Sequence, residues 1–346
     1  MLSQRELNRA LLARQLLLER SRLPLADALE QVGGLQTQYA PSGYIGAWSR
    51  LEGFRRGDLT DALIARSAVQ ATLMRSTIHV VSAADYWFFA DGTRRARTDW
   101  WLRAARRELD GVDVDRAASR VRSLLADGPR RIEDVLAALE ADGFSRVAWH
   151  GSNQVVDMVR VPPSGTWERR RANLFGLADD WLGPSQTSEA EGIVHLVRRY
   201  LGGFGPATRY DVASWAGVPV TALRPAFDAL DLRRFTDSEG RELLDLPDAP
   251  LPDARTPAPV RFIGTWDANL LVHARRTGFL PEAFRPRIFA TRMPHSFPTF
   301  LVDGAVAGTW KFEEDRVQLT PFEELPATTL REVEDEAERL AAFHRS

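Results

Sequence analysis

The chain of 346 residues contains no cysteine and only one lysine, Lys311, against 44 arginines. Without cysteine there can be no disulfide, thiolate zinc site, iron–sulfur cluster or cysteine nucleophile. The lack of lysine narrows covalent chemistry, because a Schiff base needs an amine, and only Lys311 and the amino terminus offer one. No run approaches the roughly 20 apolar residues that span a bilayer. The opening stretch MLSQRELNRALLARQLLLERSR carries arginines through its apolar pattern, unlike a secretory signal. The expectation is a soluble cytoplasmic protein without a membrane partner. Catalytic signatures are also missing: there is no G-x-S-x-G elbow, Walker loop or H-E-x-x-H, and GGFG lacks the third glycine of a dinucleotide fingerprint. The six histidines, His79, His150, His195, His273, His295 and His344, show no metal-ligand spacing. Neither a metal nor a cofactor is expected.

What remains is ordinary globular composition, 44% apolar and 27% charged, in a chain long enough for two to four structural units. The net charge of −2 is unevenly spread. Residues 1–110 hold 16 arginines against 12 acids, whereas 111–245 and 246–346 each carry three more acids than bases. The terminal segment REVEDEAERLAAF concentrates the acidic excess in an amphipathic helical pattern. A uniformly basic nucleic-acid binder is excluded, but a locally basic face is not.

An internal frame repeats. GPRRIEDV at Gly128 and GPATRYDV at Gly205 both run Gly-Pro and then Asp-Val, 77 residues apart. Each follows a helical pattern and leads into another. The later copy continues with VPVTALRPAFDAL, a third helix, and LRRFTDSEGRELLDL, two strands about a turn at Asp237–Gly240. Three helices closed by a β-hairpin is a winged-helix arrangement. The earlier copy ends comparably in VVDMVRV, a turn at PPSG, and TWERRRANL. The N-terminal part fits a third copy: Ser3 caps a helix to about Glu19, LPLADALEQVG supplies the next, and VQATLMRSTIHVV forms a hairpin about Arg75–Ser76. Ser82 with Asp85 matches a capping box opening the following helix. LPDAPLPDARTPAPV reads as a linker. Beyond it lie short strand signals, including LVDGAV with the Asp-Gly of a type I′ turn. The fold class is therefore α+β. It divides into winged helices at 1–110, 111–185 and 186–250, and a small β-rich, barrel-like unit with a terminal helix at 251–346.

Winged helices ordinarily bind DNA. Candidate phosphate contacts are Arg55–Arg56, Arg94–Arg95, Arg169, Arg170 and Arg171, and Arg275 and Arg276; for any one of these clusters taken alone a solvated face is the favoured reading. SGTWERRRANLF stands out because it joins three arginines to an aromatic.

Two glutamines, Gln36 and Gln38, follow a glycine pair in GGLQTQYAP. With WSRLEGF and MRSTIHVVSAADYW downstream, this stretch resembles the AlkZ/YcaQ family of bacterial winged-helix DNA glycosylases. The resemblance continues through PPSGTWERRRANLFGLADDWLG, FGPATRYDVASWAGV, RFIGTWDANLLVHARR and PTFLVDGAVAGTWKF, covering nearly the whole chain. The family signature is Gln, an aliphatic residue, then Gln or Asp. Gln36 and Gln38 match the AlkZ branch, and Thr37 departs from the aliphatic rule. The resemblance implies a concave DNA-binding face and catalysis by Gln36 and Gln38 on double-stranded DNA carrying alkylated purines. It also implies removal of bases alkylated at guanine N7, including crosslink unhooking, often in self-resistance to a DNA-alkylating natural product. No obligate protein partner is evident, and a monomer is expected.

The chemistry is coherent. N7-alkylguanine is cationic, so its glycosidic bond is weakened and the base departs neutral without protonation. The remaining work is to stabilise an oxocarbenium-like sugar and hold a water at C1′, with an amide oxygen accepting from that water. Water, rather than an amine, is the expected nucleophile. Tyr39 either stacks on the damaged base or belongs to the core. Arg75 and His79, in the family pattern R-x-T-x-H, and Asp267 are further substrate-site candidates, with a structural role open for His79. The rival functions are a winged-helix regulator and a toxin-sequestering protein.

Overall fold

The structure is a computed structural model and describes residues 1–108, 112–271, 273–290 and 295–346. The expected boundary at 110/111 and the His295 side chain lie outside the described residues.

Three times the chain runs through helices, a short strand or bridge, two more helices and a two-stranded hairpin. The first pass comprises α1 (Gln4–Arg14), α2 (Leu25–Val32), β1 (Leu35–Gln36), α3 (Pro41–Arg50), α4 (Arg56–Ile64), β2 (Ala68–Thr72) and β3 (Ile78–Ser82). A long helix, α5 (Ala83–Ala104), follows it. The second pass has α6 (Val114–Leu125), β4 (Arg130–Arg131), α7 (Ile132–Ala141), α8 (Arg146–Val155), β5 (Met158–Arg160) and β6 (Leu174–Leu177), then the short α9 (Ala178–Leu182). The third has α10 (Glu189–Phe204), α11 (Arg209–Ala216), α12 (Val220–Ala229), β7 (Arg233–Thr236) and β8 (Glu242–Asp245). The repeated Gly-Pro frame has a structural counterpart. After each Gly-Pro the chain pairs with its own hairpin, Arg130 with Phe175 in one case and Ala207 with Leu244 in the other. In the first pass β1 takes that place, pairing Leu35 with Val80 and Gln36 with His79.

The first two hairpins are not separate wings. β2 pairs with β5, Gln70 opposite Arg160 and Ala71 opposite Val159, so six strands form one sheet in the order β1-β3-β2-β5-β6-β4. The third hairpin stays a two-stranded sheet. α5 crosses α10 where Gly92 faces Gly192; a Cβ on Gly192 would lie 2.5 Å from the Gly92 nitrogen, so neither position admits a side chain.

The C-terminal part holds β9 (Arg261–Ile263), α13 (Arg285–Ile288), β10 (Phe289–Ala290), β11 (His295–Ser296), β12 (Thr299–Val302), β13 (Ala305–Glu313), β14 (Arg316–Pro321) and α14 (Ala327–Arg345). Among the described residues its main sheet, β14-β13-β12-β9, is open rather than a closed barrel. Its Phe262, Phe300 and Trp310 share a core with Leu29, Tyr44 and Trp48 of the first pass and with Val333, Leu340 and Phe343 of α14. The second pass keeps its own core around Val121, Leu139, Trp149 and Phe175. No helix among the described residues is long and apolar enough to cross a membrane.

Local expectations need four further corrections. α1 stops at Arg14 rather than near Glu19, and Leu16 adopts a left-handed φ of 56°. The return strand of the second hairpin is Leu174–Leu177, which leaves Arg169–Arg171 in the preceding loop. Ser82 caps α5, but Asp85 does not reciprocate; its carboxylate is taken by His195 and Arg199. The proline-rich segment is anchored, since Arg14, Arg5 and Arg9 of α1 donate to the carbonyls of Pro250, Ala254 and Thr256.

Candidate active site

α2 ends on Gly33, whose φ of 74° is the left-handed C-cap that glycine adopts without strain. Gly34 follows at φ 81°, where a Cβ would lie 2.8 Å from Val81 Cγ1. Only this glycine pair lets the chain leave the helix and enter β1 flush against β3. The ladder continues past β1: the Thr37 amide donates to the Ile78 carbonyl, and the Gln38 side chain takes the next backbone position by accepting from the Ile78 N–H at 2.7 Å. Pro41, at the first turn of α3, then redirects the chain.

Gln36 is buried, at 8% exposure, and Gln38 is exposed. Arg75 Nη2 donates to Gln36 Oε1 at 2.7 Å. Both partners, a guanidinium and a backbone N–H, can only donate. They therefore fix which end of each amide is oxygen, and each oxygen keeps one lone pair. Among the described residues neither amide nitrogen has a partner. The expectation that the amide oxygens are free to hold a water is thus modified: each oxygen is half occupied, and the wholly free ends are NH2 donors.

Thr37 departs from the family pattern without loss of packing. Its hydroxyl accepts from Gln70 Nε2 at 3.1 Å, and its methyl lies where a Cβ on Gly43 would come within 2.7 Å. The residue fills an aliphatic position with its methyl group and satisfies its hydroxyl from the sheet.

Arg75 and Ser76 sit at the tip of the β2–β3 connection with φ of 55° and 56°. Successive left-handed non-glycine residues are uncommon and cost energy. Here they turn Arg75 back over β1, where its other arm donates to the Trp215 carbonyl and ties the first pass to α11. Burial lowers the Arg75 pKa to about 10, so the guanidinium stays charged at neutral pH. His79, opposite Gln36, is buried and donates from Nδ1 to the Thr77 carbonyl at 3.0 Å. Burial, reinforced by the Arg75 charge, pushes its pKa down to about 3, and its neutral Nε2 is buried without a hydrogen-bond partner.

Asp267 is engaged from both sides. It accepts from Arg50 Nη2 at 3.0 Å and from the Asn269 side chain at 2.8 Å. It lines the same narrow polar cleft as Gln36, Ser42, Arg50 and Thr265. The structure therefore brings Gln36, Arg75, His79 and Asp267 around one end of β1, with Gln38 and Tyr39 on its exposed continuation.

The arginine candidates separate. Arg171 pairs with Glu133 at 2.8 Å, and Arg170 donates to the neutral Tyr39 hydroxyl at 2.7 Å, so Arg169 and Arg170 are both exposed without an ion-pair partner among the described residues. Tyr39 is 43% exposed, so it is not a core residue. Arg275 is exposed but paired with Glu282. Arg276 is buried against Asp211, which removes it from the candidate phosphate contacts. Arg94 is held by Asp91 and Asp157, and Arg56 lies 3.7 Å from Glu168. Lys311 lines a second cleft with Tyr39 and Arg170 and is paired with Glu313.

Sequence reasoning missed a groove. From Arg75 and Ser76 an open depression passes Trp100, an exposed indole at 53%, and continues between Arg95, Arg103 and the start of α12. Arg95 and Arg103 have no ion-pair partner among the described residues. The available signal was their eight-residue helical spacing, which puts both on one face with Trp100 between them, hidden because Arg94–Arg95 reads as a pair whereas only Arg95 faces the groove.

Residues 29–343 match the family model described as DNA glycosylase AlkZ-like. Among curated proteins the chain is 24% identical to the interstrand DNA cross-link repair glycosylase of Streptomyces sahachiroi, over 95% of this chain and 93% of that protein. Among solved structures it is similar to Streptomyces sahachiroi DNA glycosylase AlkZ, with a TM-score of 0.80 at 19% identity over 99% of this chain and 97% of the other. That likeness shows the fold.

Proposed function

The chain belongs to the AlkZ-like DNA glycosylase family, and from that premise we propose that it is a monofunctional enzyme hydrolysing the N-glycosidic bond of N7-alkylguanine in double-stranded DNA. The observation that carries this reading is the paired amides at β1, each anchored through its oxygen by an obligate donor. Such groups neither abstract nor supply a proton at neutral pH, which suits a substrate that needs no base protonation.

The two glutamines then take different parts. Gln36 Oε1 accepts from a charged donor, which weakens that oxygen as a second acceptor and strengthens its NH2 as a donor. It donates to a sugar or phosphate oxygen. Gln38 Oε1 accepts from a neutral backbone N–H and stands at the surface, so its second lone pair is the better seat for the attacking water. As the C1′–N9 bond breaks, its electron pair passes to the cationic base, which leaves as neutral N7-alkylguanine. Water oxygen bonds to C1′, and its surplus proton is released to solvent, leaving an abasic sugar. The half-buried Arg75 charge is directed at Gln36 rather than at the sugar, and neutral His79 adds no further cation beside the developing oxocarbenium.

Arg169, Arg95 and Arg103, together with the Trp100 groove, supply the proposed DNA-binding surface; the proposed division into winged helices at 1–110, 111–185 and 186–250 gives it three segments. Gln36 lies in a narrow cleft, but Gln38 and Tyr39 stand at the surface, a placement that suits bulky adducts and a crosslinked base that cannot leave the duplex completely. The name of the curated relative supports extending the reading to interstrand crosslinks; a role in self-protection against a DNA-alkylating natural product belongs to the same proposal and rests on the family resemblance alone. The deciding experiment is incubation with a duplex holding one N7-methylguanine. Catalytic appearance of free base is expected; stoichiometric binding without base release would leave a regulator or a sequestering protein instead.

A further inference from the structure

We propose that the cavity between the β2–β3 tip, α5 and the α11–α12 turn seats one backbone phosphate of the damaged strand, beside the lesion, and that Arg97 holds it. The inference rests on the glycosylase reading and adds a binding residue to it.

The end of β2 gathers more buried positive charge than the fold neutralises. Arg97, on α5, is 5% exposed; its Nη1 donates to the Thr72 carbonyl, and its Nε is buried without a partner. Arg160 reaches the same threonine, with Nη2 donating to the Thr72 hydroxyl at 3.1 Å and Nε and Nη1 buried without partners. Neither guanidinium has an ion-pair partner among the described residues. The acid with the strongest pull on Arg97 is Asp157, and its carboxylate is taken by Arg94 at 2.7 Å. A buried charge left unpaired is costly. An anion that reaches Arg97 therefore gains more than it would from an exposed arginine.

Such an anion has a place to sit. Arg97 lines a cavity with Arg75, Ser76, Ala96, Trp100 and Gly217. Its volume is about 220 Å³, below the roughly 300–1,000 Å³ that holds a drug-sized ligand, and suits a small group. No carboxylate lines it, so both charges on its walls are guanidinium. The walls are close-set: a Cβ on Gly217 would lie 3.0 Å from the Arg75 nitrogen. Arg75 is committed to Gln36 and to the Trp215 carbonyl and contributes charge alone. Arg97 has N–H groups to give, in the fork that matches phosphate oxygens. The position names the phosphate. Only Arg75 separates the cavity from Gln36 Oε1, so an anion on Arg97 belongs to the strand whose C1′ the glutamines address, next to the damaged nucleoside. From there the groove past Trp100, with Arg95 and Arg103, carries the backbone onward.

The test uses duplexes with one N7-methylguanine and a single neutral methylphosphonate, placed 5′ or 3′ of the lesion or, as a control, near the duplex end. Binding is measured for wild type, Arg97→Gln and Ala96→Asp. Arg97→Gln keeps a donor for the Thr72 carbonyl without the charge. Ala96→Asp leaves Arg97 in place and sets a carboxylate in the cavity, at a half-buried position of α5. Wild type should bind about tenfold more weakly with the methylphosphonate at one flanking position and less than about twofold more weakly with it at the end, the loss of one charge-assisted contact. Each variant should bind the unmodified lesion duplex about tenfold more weakly, and the flanking methylphosphonate should then cost it nothing further. Equal effects of flanking and terminal methylphosphonates on wild type overturn the seat, and so do losses that multiply in the variants. Melting temperature reports folding, and Ala96→Asp decides the comparison if Arg97→Gln does not fold. Base release from the unmodified duplex is followed in parallel. Release without the flanking dependence removes the seat and leaves the glycosylase reading; the flanking dependence without release does the reverse.

Discussion

Arg75 Nη2 lies 2.7 Å from Gln36 Oε1, and the other arm of the same guanidinium is bound to the Trp215 carbonyl. One half-buried cation thus ties the first glutamine to a helix more than 100 residues further along the chain. Arg75→Met should lower kcat by about 10- to 100-fold, the scale expected when a reacting group is misplaced, with a much smaller effect on DNA affinity. Arg75 acts through Gln36, so the R75M/Q36A double variant should be no slower than Q36A. Additive losses in kcat would show that Arg75 acts directly on substrate.

Gln36→Ala and Gln38→Ala should each slow release of N7-alkylguanine by about 10²-fold, the loss typical of one positioned polar group, while duplex binding stays nearly constant. Gln38→Ala also deprives the Ile78 N–H of its acceptor and should lower stability by about 1 kcal/mol. Single-turnover release, fluorescence anisotropy and thermal melting separate these effects. Wild-type release by the double variant would end the assignment.

Among the described residues Arg171 alone of the 169–171 triplet has an ion-pair partner, Glu133, so replacing Arg171 should add little to the loss of DNA affinity caused by Arg169→Ala. Arg95→Ala and Arg103→Ala should weaken binding to damaged and undamaged duplex alike. For each free arginine removed, the slope of log affinity against log salt should become shallower by about one. An unchanged slope after all three replacements would mark these residues as a solvated surface.

Borohydride should trap no protein–DNA adduct during turnover on an N7-alkylguanine duplex, and the abasic strand should stay intact until alkali or heat cleaves it. Lys311 lines the cleft beside Tyr39, which makes Lys311→Ala an informative control. Base release by this variant on the methyl substrate should match wild type, and a chelator should not slow it. Trapping that disappears in Lys311→Ala would replace water by an amine as the nucleophile.

Acid should destabilise the fold. His79 and His273 are buried and neutral, with pKa values lowered to about 3 by burial, against 6.5 when free. The unfolded chain binds protons at these positions as the pH drops through 6.5, whereas the folded chain resists until about 3. Stability is therefore complete above about 6.5 and declines between there and about 3, by at most about 1.4 kcal/mol per pH unit for each histidine. Melting temperature should fall steadily below pH 6. Base release should be flat from about pH 6.5 to 9, since neither histidine nor Arg75 titrates there; a rate step near pH 6.5 would assign proton transfer to a histidine.

Much of the architecture was legible because it repeats. The Gly-Pro frames announced two equivalent units, and the Asp303–Gly304 turn was visible as a dipeptide whose residues adopt φ of 48° and 80°. The glutamines were visible through their family context and the glycines before them. What stayed hidden depends on contacts between distant segments. No local pattern says that Gln70 sits opposite Arg160, that Arg276 is spent on Asp211, or that Lys311 reaches the cleft of Tyr39. Charge is a weak guide for the same reason: adjacent arginines look alike in sequence, but hydrogen bonding and ion pairing give Arg169, Arg170 and Arg171 three different settings.

The pairing of β2 with β5 has a mechanical consequence. Bending the second pass away from the first would strip hydrogen bonds from the middle of a six-stranded sheet, so this junction resists deformation and has no loop to absorb it. A duplex laid across both passes meets a stiff surface. On the proposed reading, the distortion that exposes C1′ must then come from the nucleic acid, and its cost depends on how easily the sequence around the lesion bends. Turnover should therefore depend on flanking base steps that the protein never touches.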